Sequence, residues 1–298
     1  MRVMVAQACS VLMLAVLQGS VAGRGMPLDL RMLSLVSPQS QIVAGVTATP
    51  RTRRQGSFLL FTIANRIDYE DLLALAASDA SLQIDRLILT ATAGASNADA
   101  EHSVIARGRL RPDRIARSGE YPSGVQEYRG IVTLGVRPFA RERAYFRRDR
   151  LLAFIGSDLV IFGTPSCVRE EIDRFLDGAV AEPSLVRRIS LLNGEDDSWY
   201  LVRSPGRQAE FSSLLKSLDE ALSGVGSGEG LLFGIHFGKQ VEFDYITEYG
   251  SDISRTPALQ VAMSRSFRGE ADGMEASVRV VRVGRRRFEN WLRQVERR

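Results

Sequence analysis

The segment from Leu151 to Leu176, LLAFIGSDLVIFGTPSCVREEIDRFL, constrains the fold of this chain more than any other. Two short apolar runs flank Ser157 and Asp158, a residue pair typical of tight turns. This pattern predicts a β-hairpin. A helix is predicted to follow at once, because Thr164 is a favoured helix cap and Pro165 is favoured at the first helical position.

The predicted helix has a single apolar stripe. Val168, Ile172, Phe175 and Leu176 recur at helical spacing, and Gly178 is a typical C-terminal stop. A hairpin that leads directly into an amphipathic helix is typical of α+β proteins, in which helices cover one face of an antiparallel sheet.

Similar patterns continue to both ends of the chain, so the predicted fold class is α+β. We expect two modules, each an antiparallel sheet covered by helices, at residues 23–178 and 179–298. The chain length of 298 residues suits two domains of about 150 residues each. The order of elements is similar in both modules, which indicates a possible duplication without residue-level identity.

The first 22 residues predict a secretory signal peptide. Arg2 precedes an uncharged run with an apolar core at 11–17, and the small residues Ser20 and Ala22 follow. We expect cleavage near Ala22 and a periplasmic or secreted protein. The alternative is a retained anchor, since about 20 uncharged residues span a bilayer. No later stretch is apolar enough to cross a membrane.

The charge of the chain is dominated by arginine. The net charge is +4, and removal of Arg2 with the leader leaves 4 − 1 = +3. So small an excess in an exported protein argues against a nucleic-acid partner. One dense run is a candidate site for an anionic envelope surface, such as lipid head groups or polysaccharide. Its members are Arg141, Arg143, Arg147, Arg148 and Arg150.

Cleavage of the leader removes Cys9 and leaves Cys167, which excludes an intramolecular disulfide. Cys167 falls in the first turn of the predicted helix, where the helix dipole favours a thiolate. A cysteine nucleophile also needs a base, and neither His102 nor His236 lies in a motif that brings it to Cys167. Because Cys167 adjoins the apolar stripe, we expect a small buried residue.

His236, Glu242 and Asp244 are the candidate catalytic residues. The runs LLFGIHFG and QVEFDYIT predict a hairpin whose alternation places these three side chains on one face. An imidazole beside two carboxylates suits a general base or part of a metal site. The same residues are equally typical of the solvated face of a sheet.

Other chemical motifs are weaker. Asp99, Glu101 and His102 form a polar group with too few ligands for a metal. Ser213 and Lys216 match the Ser-x-x-Lys spacing of acyl-enzymes, but the partner motifs of that class are missing. The chain has no G-x-S-x-G, H-E-x-x-H or C-x-x-C sequence. We therefore expect no metal and no cofactor.

The layout resembles uncharacterised exported bacterial proteins built of tandem α+β modules. The resemblance rests on SPQSQIVAGV at 37–46 and on the hairpin–helix segment at 151–176. It implies a fold type and export, and no activity. The function is unknown; we expect a non-enzymatic envelope protein that binds a partner or ligand. The alternatives are a hydrolase-type enzyme at His236, Glu242 and Asp244, or an arginine-rich binder of an anionic envelope surface.

Overall fold

The structure, a computed structural model, describes residues 29–47, 83–92, 101–109, 124–136, 150–192, 196–222, 230–249 and 275–295. The leader and four of the five arginines of the 141–150 run lie outside these ranges, as do the segments at 57–63, 68–78 and 256–267 for which the sequence predicts a strand and two helices.

The described residues contain eleven strands. They are β1 (Ile42–Thr47), β2 (Gln83–Ala91), β3 (His102–Arg109), β4 (Val125–Tyr128), β5 (Ile131–Val136), β6 (Arg150–Ile155), β7 (Leu159–Gly163), β8 (Ser198–Val202), β9 (Leu231–Phe237), β10 (Val241–Tyr249) and β11 (Glu275–Val283). The α-helices are α1 (Leu30–Leu35), α2 (Pro165–Leu176), α3 (Pro183–Ser190), α4 (Pro205–Leu218) and α5 (Arg285–Val295), and a 3₁₀ turn spans Glu220–Leu222.

All eleven strands form one antiparallel sheet, in the order β11-β10-β9-β8-β1-β2-β3-β7-β6-β5-β4. The α+β class with an antiparallel sheet is therefore confirmed. The predicted modules, 23–178 and 179–298, contribute strands β1–β7 and β8–β11 to this shared sheet through the pairing of β1 with β8. The division into two modules, and their duplication, stay predictions.

The two faces of the sheet carry separate apolar cores. On the front face, α4 and α5 pack on the sheet; their buried residues include Phe211, Leu215 and Phe288. Trp291 of α5 donates its indole N–H to the Ser217 hydroxyl of α4 at 2.9 Å, which fixes the two helices together. On the back face, α1, α2 and α3 pack against strands that include β3, β6, β7 and β8.

The helix α2 confirms the sequence prediction in most details. Val168 and Ile172 are fully buried on the back face. Leu176 is 40 % exposed, so the predicted stripe is wrong at this position, where α2 ends. Thr164 is the residue before the helix, but its hydroxyl donates to the carbonyl of His102 at 3.4 Å and does not cap a helix N–H.

Two ionisable groups of α2 are buried against the sheet. Cys167 is 8 % exposed, which confirms a buried cysteine, and burial raises the pKa of its thiol to about 12. Burial outweighs the side-chain hydrogen bond with Thr164, which lowers the pKa. Glu171 is 2 % exposed and accepts a hydrogen bond from the Ser103 hydroxyl. Burial raises the pKa of Glu171 to about 8, so the neutral acid predominates at neutral pH.

Trp199 occupies the middle of the sheet between two glycines. Its position on β8 pairs with Gly45 of β1 and with Gly234 of β9. The indole is 4 % exposed and lies directly over the backbone of Gly45, in the space that a β-carbon there would need. The absence of a side chain at position 45 therefore allows the close approach of a large aromatic group.

We expect Gly45→Ala to lower the free energy of unfolding by about 1–3 kcal/mol, because the new methyl group displaces the indole of Trp199. Urea denaturation followed by tryptophan fluorescence measures the change. Gly206→Ala in α4 is the matched control, because no atom lies within 4 Å of its added β-carbon. A Gly45→Ala variant as stable as the control would contradict this packing.

We expect Glu171→Gln to remove a pH dependence of stability. The pKa of Glu171 rises from 4.5 to about 8 on folding, so the folded state retains a proton that the unfolded state has lost between these values. Wild-type stability therefore falls as pH rises through this window, by a few kcal/mol at most. Glu170→Gln, at the exposed neighbouring position, should keep the wild-type slope. Denaturation at several pH values between 5 and 8.5 measures the free energy of unfolding. If its slope against pH is the same for wild type and Glu171→Gln, the raised pKa of Glu171 is refuted.

Candidate functional site

The predicted residues His236, Glu242 and Asp244 lie on the hairpin of β9 and β10. The register pairs His236 with Glu242, and Asp244 with Gly234. Phe237, Phe243 and the other alternate residues enter the front core. The three polar side chains therefore share the back face of the sheet.

Two aspartates that precede β8 join this group. The segment that carries Asp196 and Asp197 runs alongside β9, since Asp197 donates its backbone N–H to the carbonyl of Ile235 at 2.8 Å. The carboxylate of Asp197 accepts a hydrogen bond from the backbone N–H of Phe237 at 2.7 Å. The same oxygen, Oδ2, lies 3.4 Å from Nδ1 of His236, so the carboxylate fixes the orientation of the imidazole.

Asp196 is the most deeply buried carboxyl group of the site. The residue is 4 % exposed, and neither carboxylate oxygen has a hydrogen-bond partner among the residues that the structure describes. The carboxylate lies over Gly234, in the space that a β-carbon at that position would fill. Burial, and then the negative charges of Asp244, Asp197 and Glu242, raise the pKa of Asp196 to about 9.

The outer part of the site is partly exposed. Glu242 forms an ion pair with Arg282 of β11 at 2.9 Å, and its side chain is 31 % exposed. The side chain of His236 is 33 % exposed. We call the set Asp196, Asp197, His236, Glu242 and Asp244 the acidic face.

The acidic face begins where the apolar core of the back face ends. Among the described side chains, that core extends along the sheet to Leu232 of β9 and includes none from β10 or β11. The front core, by contrast, continues through Val241 and Phe243 of β10 to Val281 and Val283 of β11. The carboxyl groups of the acidic face therefore lie at the end of the back face where no helix that the structure describes is packed.

Sequence reasoning missed Asp196 and Asp197. The run EDD at 195–197 is typical of a turn before a strand, and only the pairing of β8 with β9 brings the two aspartates to His236. The signal in the sequence is the position of this acidic run directly before a predicted strand.

The other predicted candidates lie elsewhere. His102 is buried, with Nε2 3.2 Å from Nη2 of Arg150, and Asp99 lies outside the described residues. Arg150 is 2 % exposed, so the structure does not place this arginine on the surface. Arg141, Arg143, Arg147 and Arg148 lie outside the described residues, and the anionic-surface role stays a prediction.

The chain has no helix, within the ranges that the structure describes, with both the length and the apolar character to cross a bilayer. Ser213 and Lys216 are both exposed on α4, and Lys216 forms an ion pair with Glu220 at 3.2 Å. The Ser-x-x-Lys spacing thus lies on a solvated helix surface.

No protein-family model matches the sequence, and no curated protein matches it. Similar solved structures include two crystal forms of TP0453. The structure of crystal form I of TP0453 has a TM-score of 0.50 and 8 % identity, over 90 % of this chain and 98 % of that one. Crystal form III of TP0453 has a TM-score of 0.45 and 10 % identity, over 87 % and 96 %. The similarity to crystal form I concerns the fold alone.

Proposed function

We propose that this protein is an exported, non-enzymatic binding protein of the cell envelope, and that its acidic face binds a positively charged ligand or partner. The observation that carries the proposal is the change from apolar core to carboxylates on the back face beyond Leu232. In the part of the chain that the structure describes, these carboxyl groups belong to no helix-packing core, and the side chain of Glu242 is partly exposed. The proposal of export rests on the leader at residues 1–22.

The local charge favours a cationic partner, although the whole chain is slightly positive. Four carboxyl groups lie together, two on β10 and two in the segment before β8, and Arg282 forms an ion pair with one of them, Glu242. A surface that concentrates one sign of charge attracts ligands of the other sign, and salt screens this attraction. We therefore expect binding that weakens as ionic strength rises.

We expect a fluorescent tetralysine peptide to bind the full-length protein in low salt with EDTA present. Asp197→Asn combined with Glu242→Gln should raise Kd about three- to tenfold, because each partly exposed ion pair contributes up to about 1 kcal/mol. Fluorescence anisotropy measures Kd. The double variant Asp177→Asn, Glu210→Gln removes two exposed carboxylates elsewhere and should leave Kd unchanged.

Equal affinity of the two double variants, or no binding by wild type, would overturn the cationic-partner proposal. Circular dichroism of each variant separates a loss of binding from a loss of fold.

A hydrolase is the second candidate, favoured by the contact of His236 with Asp197. A carboxylate that orients an imidazole also stabilises the imidazolium that forms when the ring acts as a general base toward water or a hydroxyl group. The partial exposure of His236 gives a substrate access to it.

For this second candidate, we expect slow hydrolysis of p-nitrophenyl acetate that His236→Ala abolishes, because the substitution removes the base. Release of p-nitrophenol measures the rate, and His102→Ala, at a buried histidine, controls for general loss of histidine. A rate that survives His236→Ala at the wild-type level would exclude the hydrolase.

A further inference from the structure

The carboxyl group of Asp196 lacks the partners that buried acids have in folded proteins. It is 96 % buried, and within the described ranges both of its oxygens lack a hydrogen-bond donor. An isolated carboxylate in such a place is strongly unfavourable, so buried acids bond to donors, take up a proton or bind a cation. Asp196 therefore points to a ligand at this position.

The surroundings of Asp196 are negative, and its carboxylate lies close against the sheet backbone. Gly234 has no side chain, and the Asp196 carboxylate occupies the space above it. Asp244 is the cross-strand neighbour of Gly234, so its β-carbon is next to that space. Asp244, Asp197 and Glu242 each oppose ionisation of Asp196, in this order of strength.

The basic groups near the site contact other members of the acidic face. The guanidinium of Arg282 bonds to Glu242, and the imidazole of His236 lies beside Asp197. The buried end of the acidic face, at Asp196, thus lies deeper than these contacts. A small cation suits this position better than a long basic side chain, because the carboxylate is closed to bulk solvent.

We propose that Asp196 and Asp244 bind one divalent cation of the calcium class at the buried end of the acidic face. Calcium prefers carboxylate and carbonyl oxygens, accepts water as a ligand and tolerates irregular geometry. Zinc prefers nitrogen and sulfur ligands in a closed tetrahedron. The inference rests on the proposed function, since it gives a chemical class to the positive charge that the acidic face binds.

The described side chains set the number of protein ligands. Within the ranges that the structure describes, no three histidine, cysteine or acidic side chains lie close enough to hold one ion together. Two carboxylates are then the side-chain ligands, and backbone carbonyls and water complete the shell. Such a site belongs with the weaker calcium sites, with Kd of about 0.1–1 mM.

The test is thermal denaturation of the full-length protein at pH 7.5, first in EDTA and then with excess calcium chloride. We expect calcium to raise Tm by about 3–5 °C at a concentration well above Kd. Asp196→Asn should lose the shift, and Asp244→Asn should lose most of it. Glu210→Gln, at an exposed carboxylate on α4, should retain it.

Equilibrium dialysis of the wild-type protein provides a measurement that does not depend on the folding of a variant. One bound calcium ion per chain supports the proposal. No bound calcium, or the same shift in Tm for Asp196→Asn and wild type, overturns it. The proposal is also overturned if calcium does not affect the wild-type protein and Asp196→Asn is more stable than wild type. That result would show that Asp196 is protonated in the folded protein.

The calcium and peptide experiments separate the two proposals. Calcium is tested without peptide, and the tetralysine peptide is tested in EDTA. Loss of the calcium effect with retained peptide binding removes only the metal site. Loss of peptide binding with a retained calcium effect removes the cationic macromolecular partner and leaves calcium as the ligand.

Discussion

The packing of Trp199 against Gly45 is the contact on which the continuity of the sheet depends. The indole lies over a position without a side chain, and β8 can therefore pair closely with β1 on one side and with β9 on the other. This pairing joins seven strands to four and gives both cores a shared layer. It also determines where the residues before β8 lie, and thereby places Asp196 and Asp197 beside β9.

Local features of the fold could be predicted from the sequence, and the central pairing could not. The hairpins β6–β7 and β9–β10 and the helix α2 follow from turn residues, alternation and helix starts that lie within a few residues of each other. The pairing of β1 with β8 joins distant segments whose apolar patterns also fit other strands. The residues around Gly45 and Trp199 do not identify these two positions as partners. The sequence therefore indicates two sheets, and the structure has one continuous sheet.

The same distinction holds for the ionisable groups. Alternation along one hairpin is sufficient to place His236, Glu242 and Asp244 on one face. The burial of Asp196 and Glu171 depends on which distant segments of the chain pack against them. The periodicity of the local sequence does not indicate these contacts. Both acids have raised pKa values with burial as the main cause, but Glu171 has a hydroxyl donor and Asp196 has none. Among the described residues, Glu171 has one bonded carboxyl oxygen and an unpartnered Oε2, whereas both oxygens of Asp196 lack a partner. This difference supports the proposed cation site at Asp196.

The position of β1 in the sheet has a consequence for the time course of folding. One of its neighbours, β2, follows within the same half of the chain, but the other, β8, is far along the sequence. Pairings between distant segments form slowly, because a long loop must close before the contact is made. One long edge of β1 therefore remains unpaired until the second half of the chain has been synthesised. A chaperone that shields an extended strand would have its main task during that interval.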